Sequence, residues 1–193
     1  KHLFILVLSL TAVVCQVHGR VSSPNLLFIM SDDHTSQAFG IYGSRLASLN
    51  PTPNLDKIAN EGIIFNNCFV NNSICTPSRA AILTGQNSQA NGVLDLEGVL
   101  PPEKHYLPIE MKKLGYQTAI IGKWHLTAQP NFDYYNILTA GHQQGTYFDP
   151  VFTETGIEFK LWDEPGFEGN QYKGHSSDVI TDILYGNGAI RIN

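Results

Sequence analysis

Residues 107–125 read L-P-I-E-M-K-K-L-G-Y-Q-T-A-I-I-G-K-W-H, a stretch that joins a helix-like segment to a strand-like one. Leu107 to Leu114 predicts a helix, because Pro108 suits a first helical turn and Gly115 suits the position after the last turn. Tyr116 to Ile121 predicts a buried strand that runs into the polar end of the stretch. The order helix, glycine, strand indicates an α/β unit with polar residues at the carboxyl end of its strand.

Strand-like and helix-like segments alternate along the preceding sequence as well. The run N-L-L-F-I-M at 25–30, bounded by Pro24 and Ser31, predicts a buried parallel strand, and I-I-F-N-N-C-F-V at 63–70 predicts a second one. Further helices are predicted at Asn54 to Glu61, Ser78 to Leu83 and Asp178 to Leu184. We therefore expect an α/β fold with a mainly parallel sheet flanked by helices, incomplete at the C-terminus because no closing strand follows the last helix. After Gln129 the frequent glycine, proline and aromatic residues predict a long surface loop near the site.

Composition and the N-terminal residues limit the class of protein. The chain has 193 residues, 42% of them hydrophobic and 15% charged, with a net charge of −5, so no basic field suggests a nucleic-acid partner. The apolar run Leu3 to Val14 after a short basic end predicts a signal peptide over residues 1–19, too short for a comfortable membrane span, with an uncleaved anchor as the alternative. We expect residues 24–193 to form part of one domain that enters the secretory pathway.

Two cysteines remain once Cys15 leaves with the signal peptide. A disulfide between Cys68 and Cys75 is one possibility, although each has a local explanation. Cys68 lies within a predicted strand, where it would be a small buried side chain. Cys75 lies in I-C-T-P-S-R-A-A-I-L-T-G at 74–85, and a free thiol in an oxidising compartment needs a chemical reason.

Polar residues cluster at the ends of three predicted strands or in the loops that follow them. Because the carboxyl ends of parallel strands meet at one edge of a sheet, we expect these clusters to converge, although each alone has an ordinary structural explanation. The clusters are Asp32-Asp33-His34, Cys75 to Arg79, and Lys123 to His125.

The convergent residues suit the hydrolysis of a sulfate or phosphate ester. Adjacent carboxylates at Asp32 and Asp33 are hard oxygen ligands suited to Ca²⁺ or Mg²⁺. Arg79 and Lys123 could hold an oxyanion, with the help of a helix start near the cysteine. His125 could transfer a proton near neutral pH.

Several segments in the right order resemble the formylglycine-dependent sulfatase family of the alkaline-phosphatase-like superfamily. The resemblance is strong from Pro24 to His125 and weak to Asp182. The segments are P-N-L-L-F-I-M-S-D-D-H, T-P-N-L-D-K-I-A-N-E-G-I-I-F, C-T-P-S-R-A-A-I-L-T-G and G-Y-Q-T-A-I-I-G-K-W-H-L.

The resemblance implies a catalytic role for an oxidised Cys75. A formylglycine-generating enzyme in the endoplasmic reticulum, reading Pro77 and Arg79, would convert Cys75 to an aldehyde whose hydrate attacks sulfur. Arg79 and Lys123 would hold the hydrate and the sulfate, and His125 would take a proton as sulfate leaves.

The resemblance also implies a metal site and features around it. Asp32, Asp33 and the modified residue 75 would bind Ca²⁺, with Mg²⁺ possible, and His34 would be a neighbour in the pocket. The glycosylation sequon that starts at Asn71 is expected to be buried and unmodified.

Members of the family also carry a second pair of metal ligands and a further His and Lys later in the chain. None of these is identifiable here, so we expect a partial catalytic domain that is inactive alone. The expected substrate is a sulfated sugar, as in N-acetylglucosamine-6-sulfatases, or an aryl sulfate, and the expected location is extracellular or lysosomal. The alternatives are a phosphate or phosphonate ester hydrolase of the same superfamily and an inactive product that binds only an anion or a partner.

Overall fold

The structure, a computed structural model, describes residues 23–104, 106–139, 145–161 and 164–186. The chain divides into two compact units, Lys1–Ile29 with Asn193, and Met30–Ile192. In the first unit only residues 23–29 are described, and they have no regular secondary structure. The predicted signal peptide, residues 1–19, lies outside the described residues.

A four-stranded sheet organises the second unit. Its strands are β1 Ala119–Lys123, β2 Tyr134–Leu138, β3 Val151–Glu154 and β4 Asn170–Gln171, in that spatial order. β1 and β2 are parallel, with Lys123 opposite Leu138 at their carboxyl ends, while the pairs β2–β3 and β3–β4 are antiparallel. The predicted α/β class is confirmed, with a sheet that is mixed over the described residues.

Five helices surround this sheet in the described part of the chain: α1 Pro53–Glu61, α2 Cys75–Thr84, α3 Ser88–Asn91, α4 Leu107–Lys113 and α5 Ser176–Gly186. Three short 3-10 turns, Ser36–Ala38, Gly40–Tyr42 and Ala47–Leu49, precede α1. The four predicted helices are confirmed as α1, α2, α4 and α5. α2 begins at Cys75, three residues earlier than predicted, because a proline is tolerated in a first helical turn, where its missing N–H costs no hydrogen bond.

The core has two buried clusters, and β2 contributes to both. Tyr135 and Ile137 pack with Trp124, Tyr106 and residues of α2, whereas the neighbouring Leu138 packs in the second cluster. Successive side chains of a strand point to opposite faces of the sheet, so one strand supplies both layers. The second cluster is formed by Leu138, Phe152, Val179 and Ile183.

The strands predicted at 25–30 and 63–70 are wrong for the described residues. Neither segment pairs with a strand there, Ile29 is 72% exposed and Phe69 is 90% exposed. Cys68 is likewise exposed rather than buried, and no disulfide joins it to Cys75. Strand propensity measures how well a residue fits a paired, half-buried surface, so an apolar run without a neighbouring strand does not form one.

The long surface loop predicted after Gln129 is also wrong. That region supplies β2, β3 and β4, and Ile137 and Phe152 are fully buried. Gly145, Pro150, Pro165, Gly166 and Gly169, which suggested a loop, lie between these strands, while the short apolar stretches of β2 and β3 pack into the core.

Candidate active site

The chain places Cys75 at the first position of α2. Ile74 precedes it in extended conformation, and its carbonyl oxygen accepts a hydrogen bond from the Ser78 amide at 3.0 Å. No side chain caps this helix start, and Gly85 ends the helix with φ of 64°. The Cys75 thiol therefore lies where free amides and the helix dipole favour negative charge.

The end of β1 brings Lys123 to the same place. The Trp124 ring that follows is 2% exposed, and its Nε1 donates to the Ala128 carbonyl at 2.8 Å. His125 adopts the left-handed region with φ of 50°, so the chain turns sharply just beyond the strand. Trp124 therefore anchors this turn in the core, and the turn carries Lys123 and His125.

Asp32, Cys75, Arg79 and Lys123 come together in one cluster. Lys123 Nζ lies 2.5 Å from Asp32 Oδ2 and 3.6 Å from Cys75 Sγ, and that sulfur lies 4.0 Å from Asp32 Oδ1. Arg79 donates to the main-chain carbonyl of Lys123 at 2.6 Å and to Asp32 Oδ1 at 3.4 Å. Three distant segments of the sequence therefore meet around the thiol, as the sequence pattern predicts.

The charges of the cluster shift the pKa values of its members. Burial alone would raise the pKa of Asp32, but hydrogen bonds and positive charge from Lys123 and Arg79 outweigh it and lower the pKa below its usual value. Burial lowers the pKa of Arg79, against the opposing effect of Asp32. Burial, then the charges of Lys123 and Arg79, lowers the pKa of His125 to about 4, so its imidazole is neutral near pH 7.

Other predicted residues lie beside this cluster without joining it. Asp33 is exposed in left-handed backbone with φ of 51°. The His34 ring stacks on Phe39 at 4.3 Å, and its Nδ1 lies 3.2 Å from Ser31 Oγ. Asn71 is exposed, so the expectation of a buried sequon is wrong.

Two contributions to the site were not foreseen from the sequence. The main-chain carbonyl of Lys123 fixes the Arg79 guanidinium, and no side-chain identity could signal that role. Asn72 holds the chain just before Cys75, because its Oδ1 accepts from the Ile74 amide and its Nδ2 donates to the Leu94 carbonyl. An Asn side chain that accepts a hydrogen bond from the amide two residues later is a known turn motif, so this role of Asn72 could have been predicted from the sequence.

Comparison with known proteins identifies the family. The sulfatase family model matches residues 24–187. The N-acetylglucosamine-6-O-sulfatase of Bacteroides thetaiotaomicron is 42% identical over 176 residues, which cover 91% of this chain and 29% of that protein. The human N-acetylgalactosamine-6-sulfatase is 37% identical over 127 residues, 59% of this chain and 24% of the relative.

A solved structure supports the same assignment. The structure of BT4656 in complex with its substrate D-glucosamine-2-N,6-O-disulfate matches with a TM-score of 0.74 and 44% sequence identity, covering 83% of this chain and 30% of that one. The chain therefore belongs to the sulfatase family, and it has the family fold over most of its length. It spans less than a third of the length of these relatives.

Proposed function

We propose that this chain carries part of the catalytic site of a sulfuric ester hydrolase in which Cys75 is converted to formylglycine. The observation that supports this most directly is the position of Cys75, free and at the start of α2, with Lys123 Nζ at 3.6 Å and Arg79 one helical turn away. A thiol that had only a packing role would not need two cations and a helix start around it.

The carboxylates near residue 75 are of the type that a hard divalent cation binds, but there are too few of them to complete a site. Asp32 Oδ1 and Cys75 Sγ, 4.0 Å apart, face each other, and Asp33 adds a second carboxylate in the adjoining turn. The described residues contain no group of three or more His, Cys, Asp or Glu that could hold a metal ion. We propose that Asp32, Asp33 and residue 75 bind Ca²⁺, with Mg²⁺ as the alternative, together with ligands from regions of the sulfatase fold that this chain does not span. A bound cation would stabilise negative charge on the substrate oxygens.

The chain's own residues would bind and orient the sulfate group. Arg79 and Lys123 present two positive charges to its oxygens, and the bond from Arg79 to the Lys123 carbonyl holds the guanidinium in one orientation. The hydrated aldehyde would supply the oxygen that attacks sulfur. His125, neutral at pH 7, is in the correct protonation state to accept a proton during turnover.

The proposed substrate class is a sulfated sugar. The two relatives named above act on sulfated amino sugars by their names, and the matched structure contains a disulfated glucosamine. The corresponding location is the secretory pathway, where the modifying enzyme acts and from which the protein would reach the cell exterior or the lysosome. None of the helices described is long and apolar enough to cross a membrane.

The test is the chemistry of residue 75 in the full-length protein, expressed in a secretory host that contains the modifying enzyme. Mass spectrometry of the tryptic peptide should show the aldehyde in place of the thiol, and Cys75→Ala should abolish hydrolysis of N-acetylglucosamine 6-sulfate without unfolding the protein. Cys68→Ala is the matched control, because Cys68 is the other free cysteine described and is exposed. An unmodified thiol, or more than a few per cent of parental activity in Cys75→Ala, would refute the assignment.

A further inference from the structure

We propose that Asn72 is a positioning residue, which fixes residue 75 for turnover by tying the start of α2 to the segment 91–94. The inference rests on the proposed function and adds to it a side chain outside the charge cluster. Asn72 is half-buried and lies three residues before Cys75. It acts on the reaction through the position of residue 75 and not through the substrate.

The start of α2 needs support from outside the helix. Ile74 occupies the N-cap position, where its apolar side chain cannot accept a hydrogen bond from the amides of the first turn. Asn72 supplies a link from two residues earlier, because its Oδ1 accepts from the Ile74 amide at 3.3 Å. The Ile74 carbonyl in turn accepts from the Ser78 amide at 3.0 Å. The Asn72 side chain is therefore joined, through one residue, to the first hydrogen bond of the helix that carries Cys75.

The Nδ2 end of the same side chain reaches the segment 91–94. It donates to the Leu94 carbonyl at 3.0 Å, across 22 positions of sequence. Val93, the residue before Leu94, is fully buried in the same core cluster as Ala80 and Leu83 of α2. The bond from Asn72 thus attaches the chain in front of α2 to a stretch of backbone that the core holds in place.

The segment 91–94 also holds the far end of α2. Asn91 is fully buried, and its Oδ1 accepts from the Val93 amide at 2.8 Å. Its Nδ2 donates to the Gln86 carbonyl at 3.1 Å and lies 3.5 Å from Oγ1 of Thr84, the last residue of α2. Thr84 Oγ1 itself donates to the Ala80 carbonyl at 2.7 Å. Both ends of α2 are therefore attached to one short segment, the start through Asn72 and the end through Asn91.

The place of the first turn decides where the reactive group of residue 75 stands relative to Lys123. Cys75 Sγ lies 3.6 Å from Lys123 Nζ. Arg79, one turn further along α2, has its own anchor at the Lys123 carbonyl, 2.6 Å away. Loss of Asn72 would therefore displace the nucleophile while the guanidinium that holds sulfate stays in place. A displacement of about 1 Å at a reacting atom can lower the rate about 10²-fold.

The first test compares Asn72→Ala and Asn72→Asp in the full-length protein, in hydrolysis of N-acetylglucosamine 6-sulfate per aldehyde counted by mass spectrometry. Alanine loses both bonds, whereas aspartate keeps the acceptor for the Ile74 amide but cannot donate to the Leu94 carbonyl. Both variants should lower kcat about tenfold and change KM by less than about twofold, because the sulfate-binding cations are unchanged. Parental kcat in Asn72→Asp would show that only the local turn matters and would overturn the proposal.

Hydrogen exchange gives a second readout, which needs no turnover. In full-length protein made without the modifying enzyme, both variants should exchange about fivefold faster in the first turn of α2, which includes the Ser78 amide. The last turn, where the Gly85 amide bonds to the Ala81 carbonyl at 2.9 Å, should keep the parental rate. Parental exchange in the first turn, or faster exchange along the whole helix, would contradict a role for Asn72 in holding the start of α2.

Asn87→Ala is the matched control for both measurements. It also removes a bond between an asparagine side chain and a nearby amide, that of Ala90 at 3.0 Å, but this bond caps α3. The control should therefore keep parental kcat and parental exchange in α2. Because the exchange measurement uses the unmodified thiol form, its result stands even where no aldehyde is found at residue 75, and the two proposals fail separately.

Discussion

Replacing Lys123 with methionine tests the charge cluster directly and requires no catalytic activity. Lys123 Nζ lies 2.5 Å from Asp32 Oδ2, and the two side chains are 12% and 39% exposed, respectively. Methionine keeps a flexible, unbranched side chain in the half-buried site and removes the ammonium group. Asp32 then retains the longer ion pair with Arg79, at 3.4 Å, and the contact with the Cys75 thiol, at 4.0 Å.

The expected loss in unfolding free energy is about 1 kcal/mol at pH 7. Loss of one partner costs about 3–5 kcal/mol for a fully buried ion pair and about 0.2–1 kcal/mol for an exposed pair. Because Asp32 is partly exposed, we expect a cost near the upper end of the range for exposed pairs. The pKa of Asp32 is lowered on folding from its ordinary value of 3.8, so the carboxylate stabilises the folded chain above that pH. This contribution disappears as the pH falls through the lower, folded-state pKa.

Urea unfolding at pH 7 and at pH 3 measures both parts of this prediction. The difference between parent and Lys123→Met should be about 1 kcal/mol at pH 7 and should shrink at pH 3, while NMR titration should show a higher pKa for Asp32 in the variant. Lys113→Met is the control, since its 2.8 Å pair with Glu110 is exposed and is worth only about 0.3 kcal/mol. Equal destabilisation at both pH values would show that Lys123 acts through packing and would refute the electrostatic reasoning.

Two further predictions concern the core and the proposed cation. Trp124→Ala should lower the unfolding free energy by about 3–5 kcal/mol in thermal or urea denaturation, because a fully buried ring and its bond to Ala128 are lost; a loss below 1 kcal/mol would contradict the anchoring role of Trp124. Asp32→Asn in the full-length protein should weaken calcium binding and activity together, because a hard-cation site loses one negative charge. Identical calcium titration curves for variant and parent would show that Asp32 is not a ligand.

Segments whose structure depends on nearby residues were predictable from the sequence. α4 and the strand after it follow from Pro108, Gly115 and the apolar run, all within twenty residues of one another. The strands predicted at 25–30 and 63–70 failed because pairing depends on a neighbour distant in sequence, which no local pattern specifies. β2 and β3 were missed because their short apolar stretches are surrounded by residues typical of loops.

Local sequence patterns were also insufficient to predict the details of the candidate site. The meeting of Asp32, Cys75, Arg79 and Lys123 was predicted, although two of the three strands from which it was argued, at 25–30 and 63–70, do not form. The hydrogen bonds between these residues could not be predicted, because the contact between Arg79 and the Lys123 carbonyl involves a main-chain atom that every residue has. The neutral state of His125 likewise depends on burial, which appears only in the folded chain.

The long sequence separation within the site sets a time limit on the proposed modification of Cys75. In the folded chain Pro77 is buried and Arg79 is bound to Lys123, so neither residue would be accessible to the proposed modifying enzyme after folding. Lys123 lies 48 residues after Cys75, which corresponds to about 2–10 s of ribosomal synthesis. Slower translation through this interval would lengthen the exposure of the unfolded cysteine and raise the fraction converted, whereas faster folding would leave more molecules with an unreacted thiol. The yield of active protein would then depend on the rate of modification relative to the rate of folding during synthesis, as well as on the final structure.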